Sequence, residues 1–355
     1  MNTPVLVRGQ IIEFDVDRKT LRIGTSVLQF VPKWIKRPGR LYLIFSKECN
    51  LNCIYCFQNG SERKRLPLNI EDVCSVIKSL QNEISEIVLF GGEPLLEGNY
   101  PLITTIFERF DYLNILVFSN GNFDGIYRDL LLQYDYTISG LTISVDGPAE
   151  IHNKRRINKE KNSFQTIIDN LLFLKQLGRK VNISINVDLN NFEYIESLLE
   201  EMIKELQLTE FEYTINPVKY TKSSVDFLDL FTLFFSLRRK YGKRISINNR
   251  FIYNLEAMLS NSAMQRERCE IESTYVIDFP LKKIYACPQN ETSEIGSLDD
   301  ENRILVDKQN ISEIISATSF FNQPCSECTF SICTTYNKNI FIWNKNHTMP
   351  TSFNI

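Results

Sequence analysis

Leu41-Tyr42-Leu43-Ile44-Phe45 runs straight into Ser46-Lys47-Glu48-Cys49-Asn50-Leu51-Asn52-Cys53-Ile54-Tyr55-Cys56-Phe57, and the reading of the whole chain turns on this join. The apolar run is short enough to be a buried strand. It empties into a loop holding three cysteines as Cys49-x3-Cys53-x2-Cys56. Thiolates are soft ligands that suit iron–sulfur clusters or zinc. Structural zinc is four-coordinate and commonly uses paired Cys-x2-Cys knuckles, and no fourth ligand stands in this loop, so zinc is the weaker reading. A four-iron cluster held by three cysteines keeps one iron open, and an open iron is a place for chemistry.

Outward from the loop a βα rhythm sets in. Ile70, Val73, Ile77 and Leu80 mark one apolar helix face, on which Cys74 reads as a small core residue. Further strands are predicted at Ile87–Phe90, Ile115–Phe118, Gly140–Val145, Val181–Val187 and Glu210–Ile215. Helices near Pro101–Phe110, Ile126–Gln133, Phe164–Leu177 and Tyr194–Leu206 part them. Alternation of this kind predicts a parallel sheet with helices outside and functional groups at the carboxyl ends of the strands. The cysteine loop, Gly91-Gly92-Glu93-Pro94, Ser119-Asn120-Gly121 and Ser144-Val145-Asp146-Gly147-Pro148 all fall at such ends.

The flanks read differently. Residues 1–38 carry short strand patterns at Val5–Val7, Gln10–Phe14, Thr20–Ile23 and Val27–Val31, a small β cap without the helices that a winged-helix peptide binder would need. Residues 219–262 show aromatic helical periodicity through Phe227, Leu230, Phe231 and Phe234, read as core packing, before a basic run from Arg238 to Arg244 read as a solvated helix end. After Arg268 comes a smaller cysteine-bearing module. Cys269 and Cys287 bracket a hairpin predicted at Tyr275–Asp278 and Lys283–Ala286, and Cys325-x2-Cys328 and Cys333 follow a helical segment around Ile311–Ser319.

Composition narrows the class. In 355 residues with 43% hydrophobic content and a net charge of -3, Lys and Arg are scattered, so no nucleic-acid partner is expected. No apolar run approaches the roughly 18 residues needed to cross a membrane, and a cytoplasmic protein is expected. In that compartment nine clustered cysteines are better metal ligands than disulfides, and two histidines, His152 and His347, leave little for histidine catalysis.

With Tyr55 between its last two cysteines, Cys49-x3-Cys53-x2-Cys56 resembles the motif of the radical S-adenosylmethionine (SAM) superfamily. The resemblance implies a 4Fe-4S cluster on these cysteines whose free iron is chelated by the amino and carboxylate groups of SAM. Gly91-Gly92-Glu93-Pro94 resembles the family's second motif, in which the glycines allow close backbone approach to a ligand and Glu93 accepts from the SAM ammonium. Ser144-Val145-Asp146-Gly147-Pro148, followed by Ile151-His152-Asn153-Lys154-Arg155-Arg156, is similar to the peptide- and protein-modifying branch. There Ser144 would contact the ribose and Arg156 the SAM carboxylate. Asn153 stands where that branch usually has Asp. Asn120 is expected to border the SAM methionine or the substrate, or to shape its turn; Asp146 to help hold the ribose or shape its own.

The carboxy-terminal cysteines resemble the auxiliary modules called SPASM and twitch. Cys269, Cys287, Cys325 and Cys328 fit the one-cluster twitch layout, with Cys333 left over or replacing one of the four; a second auxiliary cluster is not expected. The same cysteines could instead bind zinc. Lys282 stands where the SPASM pattern has glycine.

The expected organisation is an α/β fold: a β cap over 1–38, a partial (β/α)6 TIM-like barrel over 39–250 and a twitch-like module over 251–355. The resemblance implies an enzyme that reductively cleaves SAM and uses the 5′-deoxyadenosyl radical on a ribosomally made peptide, with an oxidative outcome such as a crosslink or cyclisation. A flavodoxin- or ferredoxin-type electron donor, and a separate leader-peptide-binding protein, are the implied partners. The alternatives are a sugar or aminocyclitol dehydrogenase, a sulfatase-maturase-like protein oxidation and a non-enzymatic iron–sulfur electron carrier. Asp278 is the one candidate catalytic acid or base, with a turn role beside it.

Overall fold

The computed structural model describes residues 39–56, 58, 68–158, 163–218, 223–248, 274–288 and 294–306, together with the backbone of four strands before residue 30. Those four, β1 (Pro4–Val7), β2 (Gln10–Asp15), β3 (Thr20–Ile23) and β4 (Ser26–Gln29), form an antiparallel sheet in sequential order. They match the strands predicted for the cap. The segment around Ile311–Ser319, with Cys269, Cys325, Cys328, Cys333 and His347, lies outside the described residues.

The chain then alternates: β5 (Gly39–Ile44), β6 (Leu51–Cys53), α1 (Ile70–Leu80), β7 (Ile84–Phe90), α2 (Tyr100–Arg109), β8 (Asn114–Ser119), α3 (Gly125–Gln133) and β9 (Ile138–Ser144). It continues through α4 (Ala149–Arg155), β10 (Arg156–Asn158), α5 (Ser163–Gln176), β11 (Val181–Val187), α6 (Ile195–Glu200), β12 (Glu212–Pro217), α7 (Phe227–Tyr241) and β13 (Ile245–Ile247). Local signals explain the boundaries. Asn69 caps α1 by accepting from the Glu71 amide at 3.0 Å, and Pro101 sits in the first turn of α2. The helix predicted to Leu206 continues past α6 as a π-helical stretch, Glu201–Glu205.

All six predicted barrel strands are present and parallel, in the order β12-β11-β9-β8-β7-β5. Two additions differ from expectation. The helical periodicity read over 219–262 is interrupted: α7 ends at Tyr241, and Ile245–Ile247 pairs parallel with β12 as an extra strand, while residues 249–262 lie outside the described residues. On the other side, β14 (Thr274–Asp278) pairs parallel with β5 along its whole length, Thr274 opposite Arg40 and Asp278 opposite Ile44. The predicted hairpin with β15 (Lys283–Tyr285) forms, and β16 (Glu294–Leu298) and β17 (Ile304–Val306) extend it antiparallel. The hairpin is thus continuous with the barrel sheet.

Pleat alternation gives the sheet two unlike faces. The outer face carries Leu41, Leu43, Ile87, Ile115, Ile143, Ile183, Ile185 and Ile215, all essentially fully buried against the helices. Cys74 joins this core from α1, and the α7 stripe Leu230, Phe231, Phe234 and Leu237 packs there as expected. The basic helix end is a surface feature, with Lys240 paired to Glu196 and Glu200 of α6 at 2.6 and 2.8 Å. The inner face is apolar on one side, where Tyr42, Ile44, Val88, Phe90, Leu116, Phe118, Val276 and Tyr285 cluster and the Phe90 ring meets Tyr42 and Phe118 edge-on. On the other side it is polar, with Glu212 its one charged strand residue, at the exposed amino end of β12. Ser144, Ser184, Thr214 and Ser246 lie directly opposite one another across β9, β11, β12 and β13.

Candidate active site

The cysteine loop is held by pairing that sequence neighbours cannot supply. Its residues Leu51–Cys53 form β6, which pairs antiparallel with β10 and places Arg156 opposite Cys53. The Ile54 amide donates to the Arg155 carbonyl at 2.9 Å. Arg156 is thereby set among the thiols by main-chain hydrogen bonds.

The Gly91-Gly92-Glu93-Pro94 turn seats against the same loop. Both glycines have positive φ, and a Cβ on Gly92 would lie 2.2 Å from the Glu48 carbonyl oxygen. One close approach that these glycines allow is thus to the cysteine loop's own backbone. The Glu93 amide donates to the Glu48 carbonyl at 2.8 Å, and Gln58 Oε1 accepts from the Gly92 amide at 2.8 Å. The Pro94 carbonyl accepts from buried Asn99 at 2.9 Å.

Glu93 is 1% exposed. Its Oε1 accepts from the Leu95 amide and the Ser119 hydroxyl, both at 2.9 Å, and its Oε2 from the Asn120 amide at 2.6 Å. An ionised carboxylate offers about four acceptor positions, so one on Oε2 stays available for a cation. Burial pushes its pKa up to about 7 against the opposing pull of those hydrogen bonds. Asn120 fills the turn role. Its Oδ1 accepts from the Asn122 amide and shapes the turn, while its Nδ2 donates to Asn50 at 2.6 Å and reaches the Cys49 sulfur at 3.7 Å.

Two of the three thiols, Cys49 and Cys53, sit in surroundings that oppose the thiolate form. Burial, then the Glu93 charge, pushes Cys49 up to about 12, and burial also raises Cys53, with Arg156 opposing. Buried thiols of this kind ionise when a metal takes the proton's place. Among the described residues no three His, Cys, Asp or Glu side chains gather around a point for a single ion.

Tyr55, Asp146 and Arg156 form one buried network. The Tyr55 hydroxyl donates to Asp146 Oδ2 and accepts from Arg156 Nη1 at 2.6 Å and Asn186 Nδ2 at 3.2 Å. Asp146 Oδ1 accepts from the Asn186 amide at 3.1 Å and its side chain at 3.3 Å. The polar atoms of both side chains face protein partners. Burial opposes charge on Arg156, yet neighbouring Cys53, Tyr55 and Asp146 raise its pKa further. Its buried Nε has no hydrogen-bond partner among the described residues. Ser144, half-buried at the end of β9, stands on the polar inner face.

Several participants escaped the sequence reading. Arg155, 2% exposed, binds Asp188 at 2.5 Å and the Asn186 carbonyl at 3.1 Å, with its guanidinium 4.9 Å from the Tyr55 ring centre. Asn186, Asp188 and Asn191 close the end of β11; their signal was a run of Asn and Asp just past a strand. His152 is buried beside Phe164, pushed down to about 3 by burial and the two arginines, and its Nδ1 accepts from the Asp146 amide at 3.3 Å. Asn153 accepts from Ser163 and the Phe164 amide, both at 3.3 Å, capping α5 with the oxygen that an Asp there would supply.

Asp278 is 1% exposed and paired with Lys47 at 2.6 Å, while its Oδ1 accepts from the Leu281 amide at 3.1 Å. The turn role is thus occupied, and the ion pair fastens the start of the cysteine loop to β14. Cys287 is buried just beyond β15. Lys282 has a φ of 51°, the left-handed conformation that explains a glycine at this place in the pattern.

Residues 43–202 match the family described as the Radical SAM superfamily. A cysteine-type anaerobic sulfatase-maturating enzyme of Clostridium novyi is 28% identical over 195 residues, 50% of this chain and 52% of that enzyme, so the match spans about half the relative's length. Among solved structures, anSMEcpe with bound AdoMet superposes with a TM-score of 0.61 at 20% identity, covering 83% of this chain and 88% of that one. Streptococcus suis SuiB bound to the precursor peptide SuiA gives 0.61 at 15% identity, covering 83% and 70%. At these identities the structural likeness speaks for the fold.

Proposed function

Since residues 43–202 are a radical SAM domain, we propose that the chain is an enzyme that reductively cleaves SAM and oxidatively modifies a ribosomally made peptide. The observation that carries the reading is the pairing of β6 with β10, which sets Arg156 beside Cys53 while Glu93 and Ser144 reach the same strand-end region. The donor set fits the cofactors. Cys49, Cys53 and Cys56 would hold a 4Fe-4S cluster, the open acceptor position on Glu93 suits the SAM ammonium, and the orphaned Nε of Arg156 suits its carboxylate. When bound, the pair supplies a 5′-deoxyadenosyl radical able to take hydrogen from an unactivated C–H bond. The protein's own residues orient SAM and exclude water from the strand ends. An electron carrier would have no use for Glu93 or Arg156.

A peptide substrate is favoured by SuiB, which binds its precursor peptide, and by the sulfatase-maturating relative. The inner face supports an uncharged reacting segment. Asn216 donates to Ser184 at 2.8 Å and Thr214 to Asn182 at 2.8 Å, so neutral hydrogen-bonding groups line one side and aromatic rings the other. The same wall favours a second reading, dehydrogenation of a sugar or aminocyclitol. Cys287, with the cysteines outside the described residues, is assigned to one auxiliary cluster that would accept an electron from the substrate, and a flavodoxin- or ferredoxin-type protein would supply the reducing electron. Anaerobically reconstituted protein given dithionite and SAM should yield 5′-deoxyadenosine. None with any peptide or sugar offered would sink both readings. Loss of two hydrogens from a co-expressed peptide, read by mass spectrometry, would favour the first.

A further inference from the structure

The Tyr55 hydroxyl has one donor and two lone pairs. All three are engaged, by Asp146, Arg156 and Asn186, so the hydroxyl has no capacity left for a bound molecule. Asp146 is 0% exposed, and both its oxygens face protein donors; the Nε of Arg155 and the Nη1 of Arg156 each lie 3.8 Å from Oδ2. Arg156 is different. It is 6% exposed, one end of its guanidinium is tied to Tyr55, and its Nε finds no partner among the described residues. A buried guanidinium N–H without a partner is costly, and the planar fork suits a carboxylate. The network joins the cysteine loop, the ends of β9 and β11 and the start of β10 through a single oxygen atom.

We propose that Tyr55 is a positioning residue: its hydroxyl, braced by Asp146 and Asn186, fixes the Arg156 guanidinium so that the unpartnered side of the fork meets the carboxylate of the SAM amino-acid moiety. The inference rests on the SAM-binding reading above. Tyr55 acts through Arg156 and touches no reacting atom. Removing its oxygen leaves the Arg156 charge in place but takes away the anchor that sets its direction, and a fork must be aimed to bind a carboxylate well.

The test compares binding of SAM with binding of decarboxylated SAM to anaerobically reconstituted full-length protein, by equilibrium dialysis without reductant. Wild type should prefer SAM. In Tyr55→Phe that preference should shrink about tenfold, the scale of one charge-assisted contact, because SAM weakens while the decarboxylated form does not. Asp146→Asn should shrink it in the same direction. A merely structural tyrosine would weaken both ligands equally and leave the ratio unchanged, and that result overturns the proposal. Should Tyr55→Phe fail to hold its cluster, the Asp146→Asn ratio alone decides. Wild type that binds neither molecule would sink the SAM reading itself, a distinct failure. The electron paramagnetic resonance signal of the reduced cluster provides a second readout: SAM should perturb it in wild type, and reach the same end point in Tyr55→Phe only at higher SAM.

Discussion

Burial raises the Glu93 carboxyl to about 7, while three protein donors hold it in one orientation. The sign of the resulting pH effect follows. The carboxylate form accepts an ammonium and the protonated form does not, so SAM affinity should fall about tenfold per unit as the pH drops below about 7 and level off above it. Equilibrium dialysis between pH 5.5 and 8.5 checks this, and Glu93→Gln should bind weakly across the range without that slope. Lys282 makes a different residue-scale case. A side chain at a φ of 51° costs about 1 kcal/mol relative to glycine, so Lys282→Gly should raise stability by about that amount in urea unfolding. Its only ion pair, among the described residues, is an exposed contact to Asp300 at 3.4 Å, too weak to offset the gain.

At the level of elements, the cysteine loop is fixed from three sides: by β10, by the Gly91–Gly92 turn, and by β14 through Lys47 and Asp278. The last is a buried ion pair, with side chains 9% and 2% exposed. Removing one partner strands a charge in the interior, whereas removing both leaves a site that apolar groups can fill. Lys47→Met should therefore destabilise by about 3–5 kcal/mol. The double variant Lys47→Met/Asp278→Leu should recover most of that loss, and equal losses in single and double variants would count against the pair as the cause. Much at this scale was legible. The strand-then-helix spacing located β5, β7, β8, β9, β11 and β12, because runs such as Ile87–Phe90 carry their own burial preference in their side chains. β6, β10 and α4 were not, since Leu51–Cys53 and Arg156–Asn158 have no strand pattern of their own and become extended only by pairing with each other.

For the whole molecule, the sheet is open and continues past β5 into the hairpin that precedes Cys287. An auxiliary cluster held there would be rigidly placed relative to the cysteine loop. Reconstituted protein should carry iron and sulfide near eight each per chain, and Cys287→Ser should lower both to about four while the SAM-induced change at the first cluster persists. A wild-type content of about four would assign zinc or nothing to the carboxy-terminal cysteines. By itself, the sequence determined the βα order, the thiol loop and the motif positions at the strand ends, because periodicity and ligand type are local properties. Only the tertiary structure decided what those residues touch. It tied the Tyr55 hydroxyl to Asp146, Arg156 and Asn186, brought Arg155 and Asp188 beside them, and joined β14 to β5. Each depends on partners far apart in the chain, and a hydrogen bond or strand pairing across such a distance is set by packing that no single stretch of sequence encodes.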